Sequence, residues 1–97
     1  MEIFLSRAGK DCSGISKSDF DEYKIPAPPQ GIYDDAEKGL AVLNFTDSEE
    51  AVKYAIHLDD VYDRMETSEK YECSRKKIRE IISAVNDQAD FKSINFD

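Results

Sequence analysis

The sequence predicts a small α+β protein: a three- to four-stranded, mainly antiparallel sheet packed on one face by two longer helices and one short helix. Three observations lead there. Residues 1–6, 32–45 and 91–97 contain the short alternating or apolar runs of strands. Residues 51–65 and 71–89 carry apolar side chains at helical spacing. Finally, 97 residues with 40% hydrophobic content suffice for one core, while 35% charged residues keep much of the chain in solvent. The whole chain, 1–97, is therefore expected as a single acidic domain.

Taken in order, Ile3 and Leu5 face one way and Phe4 the other, as in a short first strand. Residues 7–14 form a loop. Ser16 and Ser18 each precede an aspartate by three residues (Asp19, Asp21), the pattern of a capped helix running through Phe20 and Tyr23. Pro26 ends it, and Pro26, Pro28 and Pro29 hold residues 25–31 extended as a connector between elements. Ile32 and Tyr33 then enter a polar turn at 34–39, followed by the apolar run Leu40–Phe45, together a hairpin whose second strand is central.

Thr46 or Asp47 caps the next helix, with Glu49 and Glu50 in its first turn, where the helix dipole favours acids. At 100° per residue, Ala51, Tyr54, Ala55, Leu58, Val61, Tyr62 and Met65 share its core face. Asp59, Asp60, Asp63 and Glu66 lie opposite, together with Glu49; Val52 and Ile56 fall near the acidic edge. Thr67 and Ser68 interrupt the pattern. A second amphipathic helix starts at about Glu69, with Tyr71, Ile78, Ile81, Ile82, Val85 and Ala89 inward. A kinked continuation and a turn-back both fit that interruption. Ile94 and Phe96 alternate with Ser93 and Asn95 as a last strand.

Charge is distributed very unevenly. Residues 34–72 hold twelve acids against four bases, while the remaining 58 residues hold nine of each, so the whole net charge of −8 sits in one stretch. With a pI near 4.6, direct binding of nucleic acid or of an anionic membrane is disfavoured, because both are polyanions. The expected partner surface is basic. No apolar run approaches the ~20 residues a bilayer requires. Cys12 and Cys73, 61 positions apart with no secretory leader ahead of them, are expected as reduced thiols of a cytoplasmic protein.

No catalytic constellation emerges. Asp59-Asp60-Val61-Tyr62-Asp63 resembles the aspartate-rich motif with which prenyl-diphosphate and terpene synthases hold magnesium and a diphosphate. Those enzymes need a large helical cavity and usually a second acidic motif, which 97 residues do not supply. The stretch from Asp19 to Glu22 lacks the glycine and terminal glutamate of an EF-hand loop. His57 is the one histidine and falls beside Lys53 and Arg64 on a polar flank, so neither a His-rich metal site nor a triad is expected. The four glycines are isolated, which rules against a phosphate loop. Arg75, Lys76, Lys77 and Arg79 are expected on the solvated face of the second helix. The expectation is a non-enzyme with no catalytic residue, metal or cofactor.

The acidic face has an energetic cost. Like charges at 59/63, 60/63 and 63/66 oppose helix formation by roughly 0.2–0.5 kcal/mol each, small against a total stability of about 5–15 kcal/mol. Asp60–Arg64, Glu49–Lys53 and Glu66–Lys70 pairs offset part of it. Such a face can imitate nucleic acid. Over the ~10.5 Å helical rise from residue 59 to 66, duplex DNA presents about six charges, whereas this helix presents four, so the acids at 34–37 or at 69 and 72 would have to lie alongside.

In length, acidity and α+β pattern, with residues 34–72 as the charged segment, the chain resembles the small phage-encoded type I-F anti-CRISPR proteins that act as DNA mimics. The resemblance implies a stoichiometric inhibitor, acting in the bacterial host cytoplasm, that blocks duplex entry at the lysine-lined DNA site of a CRISPR surveillance complex. The partner-binding candidates are Asp34, Asp35, Glu37, Glu49, Asp59, Asp60, Asp63 and Glu66. They are nominated because they are the clustered acids. An immunity or antitoxin protein masking the basic cleft of a nuclease toxin would use the same face for a different client.

Overall fold

The computed structural model describes residues 1–7, 9 and 11–89, and its element order is β1 (Glu2–Phe4), α1 (Lys17–Glu22), β2 (Ile32–Asp35), β3 (Leu40–Asn44), α2 (Ser48–Arg64) and α3 (Glu72–Gln88). A single 3-10 turn, Glu69–Tyr71, leads into α3. The last strand expected at residues 91–97 lies outside the described residues.

The three strands form one antiparallel sheet in the order β1-β3-β2, so β3 is central as its apolar run requires. Ile3 pairs with Leu43 and Phe4 with Val42 on one side of β3; on the other, Tyr33 pairs with Val42 and Asp34 with Ala41. Alternation then separates the faces. Ile3, Leu5, Ala41, Leu43 and Phe45 enter the core with Ala51, Tyr54 and Leu58 of α2 and Ile78, Ile81 and Val85 of α3. Phe4, Tyr33 and Val42 take the opposite face, where the Lys38 ammonium stands 4.6 Å from the Phe4 ring centroid and the Tyr33 hydroxyl donates to Glu2. That bond to a carboxylate holds the Tyr33 phenol above its ordinary pKa.

The open edge of β1 is closed by a side chain. Phe4 points its backbone N–H and C=O away from β3, and Gln88 at the end of α3 takes both: Phe4 N–H donates to Oε1 at 2.8 Å and Nε2 donates to Phe4 O at 2.6 Å. An unpaired strand edge is a template for adding another chain, and one amide removes that option at this residue.

Asp47 caps α2, accepting from Glu50 N–H at 2.9 Å, while Glu50 Oε1 accepts from Thr46 N–H at 2.9 Å. Between the two alternatives for residues 65–72, the turn-back is the one formed. α3 packs along α2, and Arg75 in its first turns donates to the carbonyls of Tyr62 (3.2 Å) and Met65 (3.1 Å) at the end of α2. A helix leaves its last carbonyls short of partners, and a guanidinium from the returning helix supplies Met65 O and adds a second donor to Tyr62 O, which also accepts from Met65 N–H at 3.2 Å. The same group lies 4.0 Å from the Tyr62 ring centroid.

Two expectations are corrected. Cys12 and Cys73 are joined in a disulfide, their Cα atoms 5.3 Å apart, not left as separate thiols. Lys77 is not on a solvated face: it is 4% exposed and sits beneath α1. Its position on α3, with Ser74, Ile78, Ile81 and Val85, explains why, since the 3–4 spacing puts all five on the buried stripe.

Candidate partner-binding face

The exposed side of α2 carries the acids that sequence spacing places there. Asp59, Asp60, Asp63 and Glu66 are all exposed, while Leu58 beneath them is fully buried and Val61, Tyr62 and Met65 are half-buried. Asp59, Asp60 and Asp63 lie within about 6 Å of helical rise on α2, and Glu66 follows two residues past the helix end at Arg64. Asp60 is partly neutralised by Arg64 at 3.2 Å and Glu49 by Lys53 at 3.4 Å, both exposed one-turn pairs that contribute little to stability. Among the described residues, Asp59, Asp63 and Glu66 form no ion pair, so their charge is available to a partner. The Glu66–Lys70 pair expected from spacing is not formed, because the helix ends at Arg64 and the two residues no longer share a turn.

Of the two residues at the acidic edge, Val52 is buried and Ile56 is 55% exposed. His57 is exposed, as its polar flank suggests. A groove of about 650 Å³ runs beside the face between α2 and α3, lined by Asp59 and Tyr62 on one side and by Arg79, Glu80, Ile82, Ser83 and Asn86 on the other.

The acids of the β2–β3 turn have local duties. Asp34 Oδ1 accepts from Lys17 N–H at 2.9 Å, tying α1 to the hairpin. Asp35 Oδ1 accepts from the N–H groups of Glu37 (3.0 Å) and Lys38 (3.1 Å), the self-capping that makes aspartate a turn residue. Gly39 follows at φ +70° with the Arg7 guanidinium packed on its Cα, and Arg7 Nε donates to its carbonyl at 3.0 Å. Asp34 and Asp35 line a separate hollow of about 240 Å³ with Arg7 and Ser16. Among the described residues, no hydrogen bond or ion pair joins this turn to the acids of α2. Asp34, Asp35 and Glu37 thus form one acidic group and Asp59, Asp60, Asp63 and Glu66 another, with Glu49 near the start of α2.

Asp19, expected simply at a helix N-terminus, is there and has a further role. Its carboxylate accepts from Ser16 N–H at 2.9 Å and from the Lys77 ammonium at 2.9 Å, and Lys77 also donates to Gly14 O at 2.9 Å. Burial pushes the Asp19 pKa up, but the Ser16 N–H and Lys77 together outweigh it and leave the carboxyl below its usual range. The basic run 75–79 is dispersed: Arg75 caps α2, Lys77 is buried, and Lys76 approaches Glu72 at 3.8 Å. Arg75, Lys76 and Arg79 still line one hollow of about 440 Å³ with Glu69 and Glu72, beside the end of α2. Among the described residues, no group of three or more His, Cys, Asp or Glu side chains is arranged to hold a metal ion, and no helix is long and apolar enough to cross a membrane.

No family model, curated protein or solved structure matches the chain.

Proposed function

We propose that the chain is a non-catalytic acidic protein that occupies a basic, nucleic-acid-binding surface, acting as an anti-CRISPR DNA mimic that blocks target-duplex entry to a type I-F surveillance complex in the bacterial host cytoplasm. The observation that carries the reading is the outer face of α2, where Asp59 and Asp63 are exposed and unpaired on a helix whose other side is locked into the core, with Glu66 exposed just past its end. A rigid helix presents fixed charges at little entropic loss on binding.

The charge density refines what is imitated. Asp59, Asp60 and Asp63 span about 6 Å of axis, and with Asp60 paired to Arg64 they leave two free charges, short of both strands of a duplex but equal to the about two phosphates, one every ~3.4 Å, that one strand carries over that span. The α2 face therefore matches a single phosphate strand, and the separate turn acids are not required beside it. The partner is a lysine- or arginine-lined track wide enough for one helix.

The test is competition on the purified surveillance complex with a labelled target duplex. Stoichiometric protein should abolish duplex binding, the inhibition should weaken as salt rises, and Asp59→Asn/Asp60→Asn/Asp63→Asn should lose it. Unchanged duplex binding at saturating protein would overturn the proposal.

A further inference from the structure

Residues 11–15 are tied to α3 twice, one helical turn apart. Cys73 holds Cys12 covalently, and Lys77 holds Gly14 O and, through Asp19, the cap of α1. The backbone entering the first tie is held in an unusual conformation: Asp11 and Cys12 have φ of 57° and 63°, consecutive left-handed residues that are not glycine. Side chains with a Cβ avoid this region, and a pair of neighbours in it persists only where the surroundings impose it. Both cysteines are half-buried, neither being enclosed in the core.

The two ties respond to different conditions. Cutting the disulfide leaves Lys77 on both Asp19 and Gly14 O, so α1 and Gly14 keep their anchor while residues 11–13 lose theirs. One hydrogen bond depends on that segment, Gly9 N–H donating to Ser13 O at 2.9 Å, while Ile15 N–H, beyond the retained tie, donates to Ser6 O at 3.0 Å. Arg7, next to Ser6, is the residue that pins the acidic turn through Gly39 O.

We infer that Cys12–Cys73 is a redox latch: a dithiol reductant, or the reduced Cys-X-X-Cys site of an oxidoreductase, opens residues 11–13 while Gly14, α1, the sheet and the α2–α3 hairpin stay folded. One reductant thiolate attacks a sulfur of the pair and releases the other cysteine as thiolate. The reductant's second thiol then displaces the mixed disulfide. Two electrons and two protons pass to the chain, giving two thiols, and the reductant becomes a disulfide. A chain made or stored in an oxidising compartment has the latch closed; in a reducing cytoplasm it is open.

Hydrogen exchange on the full chain, air-oxidised and then treated with dithiothreitol, tests this. Reduction should speed exchange at Gly9 by about tenfold or more, while the amides of Ile15, Tyr23 and of α2 and α3 change by less than about twofold. Cys12→Ser/Cys73→Ser should show the open pattern without reductant and no response to it. Unchanged protection at Gly9 would overturn the inference. So would loss of protection throughout the chain in the reduced protein or the variant, or two titratable thiols in the air-oxidised protein.

Discussion

Lys77 Nζ stands 2.9 Å from Asp19 Oδ2, and the two residues are 4% and 8% exposed. The pair links the middle of α3 to the cap of a six-residue helix 58 positions earlier. A short helix does not persist by itself, so α1 owes its place to this contact and to Phe20 in the core. Lys77→Met keeps most of the volume but strands a buried carboxylate. Loss of one partner of a buried pair costs about 3–5 kcal/mol, which urea denaturation would register. Asp19→Asn/Lys77→Met should recover a good part of the loss, because no charge is then left enclosed.

The same pair sets a pH dependence. Asp19 titrates lower in the folded protein than the ordinary value of 3.8. Its contribution is therefore fully present above that value and disappears as pH falls through the depressed folded pKa. Urea midpoints measured downward from pH 6 should drop below about pH 4, and the part of that drop due to Asp19 should be absent in Asp19→Asn.

Neutralising the α2 face should separate binding from stability. Asp59→Asn/Asp60→Asn/Asp63→Asn removes like-charge neighbours that oppose the helix by roughly 0.2–0.5 kcal/mol each, and loses only one exposed pair, to Arg64. The thermal midpoint should hold or rise slightly while binding to the basic partner and its salt dependence fall. A collapse of stability would mean these acids hold the fold together.

Arg75→Ala removes a cap on two carbonyls and a cation stacked on Tyr62. Hydrogen bonds from a charged donor contribute about 1.5–3 kcal/mol, so a loss of about that size is expected in denaturant. Arg75→Lys should recover only part of it, since an ammonium does not reproduce the planar fork.

Tyr54 offers a smaller, cleaner test. Its hydroxyl donates to Pro26 O at 2.6 Å, fastening the proline-rich connector to α2, and burial holds the phenol well above its ordinary pKa. Tyr54→Phe keeps the ring against Phe45 and should cost about 1 kcal/mol in urea.

Much of the fold was legible because it rests on local pattern. The alternation at Ile3, Phe4 and Leu5, the run from Leu40 to Phe45, the Asp47 cap and the Tyr54–Leu58 stripe each depend on residues within a turn or two of one another. The acids of α2 were legible for the same reason, since helical periodicity alone puts Asp59, Asp60 and Asp63 on one side. The buried Lys77 also had a signal, its place on the stripe with Ile78 and Ile81; the run of bases around it masked that signal. The ion pair expected between Glu66 and Lys70 failed because its spacing assumed a helix that stops at Arg64.

By itself, then, the sequence determined the α+β class, the positions of the three described strands and the helices, and one negative helix face, all consequences of short-range periodicity. Tertiary structure alone decided that α3 turns back along α2, that Cys12 meets Cys73, and that Lys77 meets Asp19. It also decided that Asp34 of the hairpin meets the first turn of α1. Each of these joins residues from different elements or distant positions, and such contacts form only when burial of the common core brings the elements together; no local pattern carries that information.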